Sequence, residues 1–226
     1  SLRRDLNHPE PFAGAVGFAN HKREPHQKLI SKVYALHLIQ IQNKGTHVTA
    51  KRTKILLLSD NHGHMDDRIL DFAKGVDMIW HAGDIGSHAS MDALEATGRP
   101  VIAVFGNIDD HTMRSRYPLD QKFVLNGVKV WMTHIGGYPP SYNQRTRDLI
   151  KRERPDLFIC GHSHILKVVN DKKISCLHMN PGASGVQGFH KIRTLLRFDL
   201  VQENEGVKGK VDNLEVIELG KRGQLL

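Results

Sequence analysis

The chain has only two cysteines, Cys160 and Cys176, and aromatic residues make up 6% of it. Two thiols are too few for a disulfide scaffold or a four-thiolate zinc site. Both lie in apolar stretches that read as strands, so they are expected to be reduced and buried. Long hydrophobic runs are also missing. The run Ile55-Leu56-Leu57-Leu58 falls far short of the roughly 20 residues needed to cross a bilayer, and no apolar signal core follows the first residues. A soluble, cytoplasmic protein without a membrane partner is expected. With 39% hydrophobic and 25% charged residues, the composition excludes a disordered chain or a low-complexity fibre. At 226 residues the chain suits one large domain, or one domain with an appendage, on a prior of roughly 150 residues per domain.

A formal net charge of +8 raises the question of nucleic acid, but the charge is unevenly placed. Residues 1–53 hold nine Lys/Arg against three Asp/Glu, whereas the rest is nearly balanced at 23 against 21. This basic N-terminal stretch lacks the interleaved aromatics on which single strands stack, which argues against nucleic acid. It opens with a Pro/Gly/Asn-rich segment from Asn7 to Pro25. Leu29, Ile30, Val33, Leu36 and Leu38 then approximate a helical stripe between Gln27 and Ile41. Residues 1–53 are expected to be a partly helical or disordered extension, dispensable for chemistry because no ligand-like spacing occurs before Lys54. Residues 54–226 would form the functional domain.

From Lys54 onward, strands and helices alternate. Lys54–Ser59, Asp77–His81 and Val101–Phe105 are short apolar runs of the kind covered on both faces. Asp66–Lys74 and Ser87–Thr97 read as helices, the second with Ser87 as its cap. Later, Lys122–Leu125 and Lys129–Thr133 flank Asn126-Gly127, a strong hairpin signal, and Leu166–Asn170 and Ile174–His178 flank Asp171-Lys172-Lys173. A helix from Tyr142 to Arg154 ends at Pro155, ahead of the strand Leu157–Cys160. Ile192–Leu200 and Val207–Leu219 supply the last strands. The predicted fold class is α/β: two mixed β-sheets packed face to face as a sandwich, with helices on the outer faces.

Five of these segments end in metal-friendly residues. The first runs into Asp60-Asn61-His62-Gly63, the second into Gly83-Asp84 and the third into Gly106-Asn107. A hairpin strand reaches His134, and Leu157–Cys160 runs into Gly161-His162-Ser163-His164. Asp60 with His62, and His162 with His164, are i, i+2 pairs, which extended backbone would point to one side. The neighbouring glycines suit tight turns beside a multiply charged ion. Ligands of open α/β sheets bind beyond the carboxyl ends of strands, so a single site is expected to collect all seven side chains. A lone Asp there is usually a turn former, and a lone His an ordinary polar residue; the set in this order is far harder to dismiss.

Asp60-Asn61-His62, Gly83-Asp84, Gly106-Asn107-Ile108-Asp109, His134 and Gly161-His162-Ser163-His164, with Asn180-Pro181-Gly182 near the end, resemble the motifs of the calcineurin-like metallophosphoesterases. The closest resemblance is to their small bacterial and archaeal phosphodiesterases. It runs from about Lys54 to Leu200 and implies that superfamily's four-layer αββα fold. It also implies two divalent metals, one held by Asp60, His62 and His164, the other by Asn107, His134 and His162, with Asp84 bridging. Mixed carboxylate, amide and imidazole ligands favour manganese, with iron, zinc or nickel as alternatives, over magnesium or calcium. Two such ions outweigh Asp60, Asp84 and a bridging hydroxide by about one positive charge, which suits a phosphate ester attacked in line by that hydroxide.

The expected function is therefore a metal-dependent phosphodiesterase acting on a small phosphate ester, with Asp84 and Asn107 at the reacting centre. Many relatives carry His directly after the ligand Asn and assign it as proton donor; here Ile108 stands, and isoleucine cannot donate. His64 and His111 are candidate substitutes, and esters with good leaving groups are the expected substrates. His81 is expected to support the site rather than bind metal, and Asp109 to orient a loop or cap a turn. Asn180-Pro181-Gly182 reads as a turn or as backbone near the site. Arg145, Arg147, Lys151, Arg152 and Arg154 read as a solvated helix face or as a steering patch. The alternatives are a phosphomonoesterase or protein phosphatase, a nuclease, and a non-catalytic scaffold like the retromer subunit of similar fold. Self-association into a homo-oligomer is left open.

Overall fold

Ile55, Leu56, Leu57 and Leu58 are all fully buried, and the two faces of their strand have different covers. Ile55 and Leu57 join a cluster with Val130, Met132, Leu157, Ile159 and Met179 of a second sheet. Leu56 and Leu58 join one with Ile69, Ala73, Met91, Leu94 and Met113 of three helices. That double burial is why the run shows no polar alternation.

The computed structural model describes residues 50–223. In chain order these form β1 (Lys51–Leu58), α1 (Asp67–Lys74), β2 (Met78–His81), α2 (His88–Ala96), β3 (Val101–Ala103) and α3 (His111–Arg116). There follow β4 (Asp120–Leu125), β5 (Val128–Thr133), β6 (Gly137–Tyr138), β7 (Ser141–Tyr142) and α4 (Gln144–Glu153). The chain closes with β8 (Leu157–Ile159), β9 (Leu166–Asp171), β10 (Cys176–Pro181), β11 (Ile192–Gln202) and β12 (Lys210–Lys221). One five-stranded sheet has the order β12-β11-β1-β2-β3, the other β4-β5-β8-β10-β9. Both are mixed: β1-β2-β3 and β5-β8-β10 run parallel, and the outer strands pair antiparallel. Below the second sheet, Trp131, Phe158, Cys160 and Cys176 pack against Tyr142 and Ile150. The layers are thus helices, sheet, sheet, helix, as expected for an αββα sandwich.

Local chemistry sets the helix ends. Asp66, Ser87, Asp110 and Asn143 each accept a backbone N–H of their own first turn, and Pro155 follows the left-handed Arg154 that ends α4. Cys160 and Cys176 are free and buried, and burial lifts both thiols to about 12.

Several boundaries differ from the sequence reading. β1 starts at Lys51 rather than Lys54, crossing the expected domain boundary, because the long β11 pairs with it from Lys51↔Gln202 onward and Arg52 forms ion pairs with Asp199 and Asp212. The stripe from Gln27 to Ile41 lies outside the described residues. Asn180 and Pro181 are not a turn: they end β10, with Pro181 opposite Leu166, because β10 begins at Cys176 rather than Ile174. Only Gly182, at φ 75°, turns the chain. α3 and the β6-β7 hairpin were not foreseen, since each is too short to show periodicity.

Asn126 does more than close its hairpin. It adopts φ 46°, and its Nδ2 reaches across to Thr53 Oγ1 (2.9 Å) and the Leu200 carbonyl (2.8 Å) of the other sheet. Asn126→Gly keeps the turn but removes both buried bonds. It should lower the unfolding free energy by about 1–3 kcal/mol, read from urea denaturation.

His178 is buried between Tyr142 and Phe158, with neither ring nitrogen hydrogen-bonded among the described residues. Burial, helped by the nearby Lys167 charge, pushes it down to about 4. Unfolded chains take up this proton first as the pH drops below about 6.5. Stability from His178 is therefore full above that pH and is lost by up to about 3 kcal/mol as pH falls to about 4. His178→Phe should flatten the slope of unfolding free energy between pH 6.5 and 4.5 in metal-stripped protein. An unchanged slope would refute the assignment.

Candidate metal centre

The loops after the parallel strands are tied to each other before any side chain is considered. Asp60 N–H donates to Gly83 O (2.9 Å), His62 N–H to Asp84 O (3.0 Å) and Gly161 N–H to His134 O (3.0 Å). Asp60, His62, Asp84, His162 and His164 all have positive φ, between 48° and 69°. The i, i+2 pairs therefore do not converge because their backbone is extended, as the sequence reading assumed; left-handed residues curl each loop around its own end. Non-glycine residues held in this region mark a site whose surroundings over-determine them.

The side chains gather in two groups that share one member. Ligand atoms of Asp60, His62, Asp84 and His164 lie within 4.8 Å of one another, and so do those of Asp84, His134 and His162. Asn107 Oδ1 stands 3.2 Å from His134 Nε2. Asp60, Asp84 and His134 are buried, whereas His162 and Asn107 face solvent. Among the described residues, neither Asp60 nor Asp84 is paired with Lys or Arg; their charged neighbours are the histidines. Two buried carboxylates without a basic partner would be strongly disfavoured in an apolar interior.

The imidazoles point to what completes the set. His134 Nδ1–H donates to Ala82 O (2.8 Å), which leaves its Nε2 lone pair facing Asp84 Oδ1 at 3.1 Å and Asn107 Oδ1. His62 Nε2 and His164 Nε2 approach to 3.2 Å. Oxygen and nitrogen atoms converging this closely need protons or cations between them. The residues fit divalent metals, and without metal, protons take that role. Burial opposes protonation of His134, but the Asp84 hydrogen bond and the charges of Asp60 and Asp84 raise it above its ordinary value. The Asp60 hydrogen bond raises His164, while burial lowers His62.

The sequence and the fold have known counterparts. Residues 53–203 match the family described as "Calcineurin-like phosphoesterase superfamily domain". The chain belongs to the calcineurin-like phosphoesterase superfamily. It is 30% identical over 141 residues to the "Probable metallophosphoesterase" of Methanothermobacter thermautotrophicus, covering 58% of this chain and 76% of that protein. A solved archaeal phosphodiesterase has like fold, with TM-score 0.58, 20% identity, and 74% of this chain and 99% of that one covered. So has Vps29 of Chaetomium thermophilum, with TM-score 0.55, 14% identity, and 75% and 99% covered.

Around this calcineurin-like centre a second ring of groups fixes the loops. Asp109 accepts from Gly86 N–H (2.8 Å) and Gly106 N–H (2.7 Å), joining the Asp84 and Asn107 loops. His81 accepts from Gly83 N–H at Nδ1 (3.1 Å), so its Nε2–H donates to Asn61 Oδ1 (2.9 Å); burial keeps it neutral, at about 4. Asn180 Nδ2 donates to Gly161 O (2.8 Å). His64 turns its Nε2 to the buried Arg193 guanidinium (3.3 Å), while His111 opens α3 with an exposed side chain. Arg145 pairs with Asp120, and Arg152 with Glu153, so the basic face of α4 is partly neutralised on the outer side of the second sheet.

Sequence reasoning missed the 185–190 loop. The His190 ring lies 5.3 Å from the His164 ring, and a Cβ on Gly188 would meet His164 Nδ1 at 2.1 Å. The signal was the glycine density after Asn180. It also missed Arg193, a charge inside an apolar strand that holds His64 and Asp66.

A Cβ on Gly106 would sit 2.1 Å from Asp84 Oδ1 and 2.3 Å from Asp84 N. Gly106→Ala should therefore displace Asp84 and weaken metal binding about tenfold or more, measured as metal per chain after dialysis. Because His134 and His164 hold protons above their ordinary range, metal must displace them. The rise in Tm on adding Mn2+ should shrink as the pH is lowered from 8 to 6; a constant rise would count against these ligands.

Proposed function

We propose that the chain is a binuclear metal-dependent phosphodiesterase acting on small phosphate esters. The observation that carries this reading is Asp84, a buried carboxylate common to both ligand groups, with histidines but no Lys or Arg beside it among the described residues. Asp60, His62 and His164 would hold one ion, Asn107, His134 and His162 the other, with Asp84 between. Two such ions, of which manganese suits the mixed donors best, would supply Lewis acidity and would acidify a bound water. The protein's part is positioning: His134 is locked by Ala82 O, and Asp60 by the His162 N–H at 3.1 Å. The likeness of fold to an archaeal phosphodiesterase supports a diester, rather than a monoester, as the substrate. Two unpaired, buried thiols suit a reducing, cytoplasmic location.

Proton donation to the leaving group is the weak point of such a site. Ile108 follows Asn107, and its only donor, the backbone N–H, is spent on Asp84 Oδ1 at 3.1 Å. With His64 turned to Arg193, His111 is the remaining histidine candidate. We infer a preference for leaving groups that are stable as anions, such as phenolates.

Metal-stripped protein should hydrolyse bis(p-nitrophenyl) phosphate only after Mn2+, Ni2+, Zn2+ or Mg2+ is restored. Asp84→Asn should reduce kcat about a hundredfold or more, and removal of residues 1–49 should leave it nearly unchanged. Across phenolic diesters of graded leaving-group pKa, kcat should fall steeply as the pKa rises. Silence with every metal would favour the second reading, a scaffold of the Vps29 kind, for which the fold likeness speaks.

A further inference from the structure

Three of the loops that carry candidate ligands also present a large apolar side chain to solvent at the next position. Ile108 follows Asn107 and is 45% exposed, Ile135 follows His134 at 43%, and Ile165 follows His164 at 58%. A fourth, Phe189, is fully exposed between Gly188 and His190, both packed on the His164 ring. Successive α-carbons are about 3.8 Å apart, so the three isoleucines leave the chain one residue from a candidate ligand, and Phe189 leaves it between two residues that pack on His164. Packing does not explain them, because none is buried. Solvation would favour polar residues at every one of these places. Exposed apolar side chains that repeatedly follow the candidate ligands of a polar site mark what the ligand brings with it.

The chemistry of centre and rim together selects one kind of ligand. The centre takes an anionic phosphoryl group, and the rim takes hydrocarbon. Three of the four rim residues are aliphatic, which suits a saturated chain better than a stacked base. We propose that the ester recognised here is an amphiphile, a phosphodiester bearing an aliphatic chain that lies on Ile108, Ile135, Ile165 and Phe189. This rests on the reading of the centre as one that binds phosphate esters, and it names the substrate class.

The test is binding of inert probes, n-alkylphosphonates from methyl to octyl, to the Mn2+-loaded full chain by titration calorimetry. Affinity should rise about two- to fourfold per methylene over the first several carbons. In the triple variant Ile135→Ser, Ile165→Ser, Phe189→Ser, the octyl-to-methyl affinity ratio should fall at least about tenfold. These positions are exposed, and an unchanged Tm verifies folding. Equal binding of methyl and octyl probes, or a ratio untouched by the triple variant, overturns the proposal. So does a wild-type dimer in sedimentation that the triple variant dissolves, since the rim would then be covered by a second copy. Failure of the phosphodiesterase reading looks different: the chain-length dependence persists while bis(p-nitrophenyl) phosphate is not turned over. Rim-dependent pelleting with phosphatidylglycerol vesicles identifies the ester as a membrane lipid, whereas probe binding without pelleting identifies a free amphiphile; either supports the class.

Discussion

Two carboxylates held out of water with no Lys or Arg partner among the described residues govern the rest of this structure. Asp60 and Asp84 sit where an isolated charge is strongly disfavoured, and the neighbouring histidines compensate only by taking up protons or by sharing a cation. A shared cation would explain several other features at once. It would explain why imidazole nitrogens of His62 and His164 approach to 3.2 Å, why five of the candidate ligand residues accept left-handed backbone, and why a side chain on Gly106 would collide with Asp84. Each of these would be a defect in an ordinary strand-end loop, and together they describe a cavity shaped for charge.

The site also belongs to both halves of the sandwich. Asp60, His62, Asp84 and Asn107 leave the first sheet, while His134, His162 and His164 leave the second. Their relative placement is therefore set by the packing between the sheets, where Trp80 meets Phe123 and Phe198 edge to face and Leu57 meets Met132 and Ile159 in one cluster. Backbone bonds such as Gly185 N–H to Asp60 O (3.1 Å) and Ser184 N–H to Ser59 O (3.0 Å) carry that rigidity to the ligands. Preorganisation of the centre and stability of the core are here one property, because a shift between the sheets would separate the two ligand groups.

Much of this was legible in the sequence, for identifiable reasons. Strands buried on both faces lose polar alternation, so Ile55 to Leu58 could be read directly, and an Asn-Gly dipeptide between apolar runs marks a hairpin. The candidate ligands were legible because strand ends carry them in a fixed order. Legibility failed where structure depends on partners far along the chain. Nothing near Lys51 announces its pairing with Gln202, and nothing near Pro181 announces its place opposite Leu166. The convergence of Asp60 with His62 was foreseen but attributed to extended backbone, because positive φ at Asp and His leaves no trace in composition. His190 and Arg193 went unnoticed for the same reason: their importance lies in contacts with His164 and His64, more than twenty and more than a hundred positions away.

Ile108 joins the chemistry of the centre to the character of its rim. Its N–H is committed to Asp84 Oδ1, so the backbone at this position holds Asp84 whatever side chain it bears. The side chain is thus free to answer to the substrate. A donor there would protonate a leaving group, an effect worth about 10²–10⁴ in rate. Isoleucine gives that up, which is tolerable only when the departing oxygen is stable as an anion or is neutralised by a bound cation. It offers hydrocarbon in return, in line with Ile135, Ile165 and Phe189. One residue beside a candidate ligand therefore bears on both proposals, how an ester would be cleaved and what kind of ester would come to be cleaved.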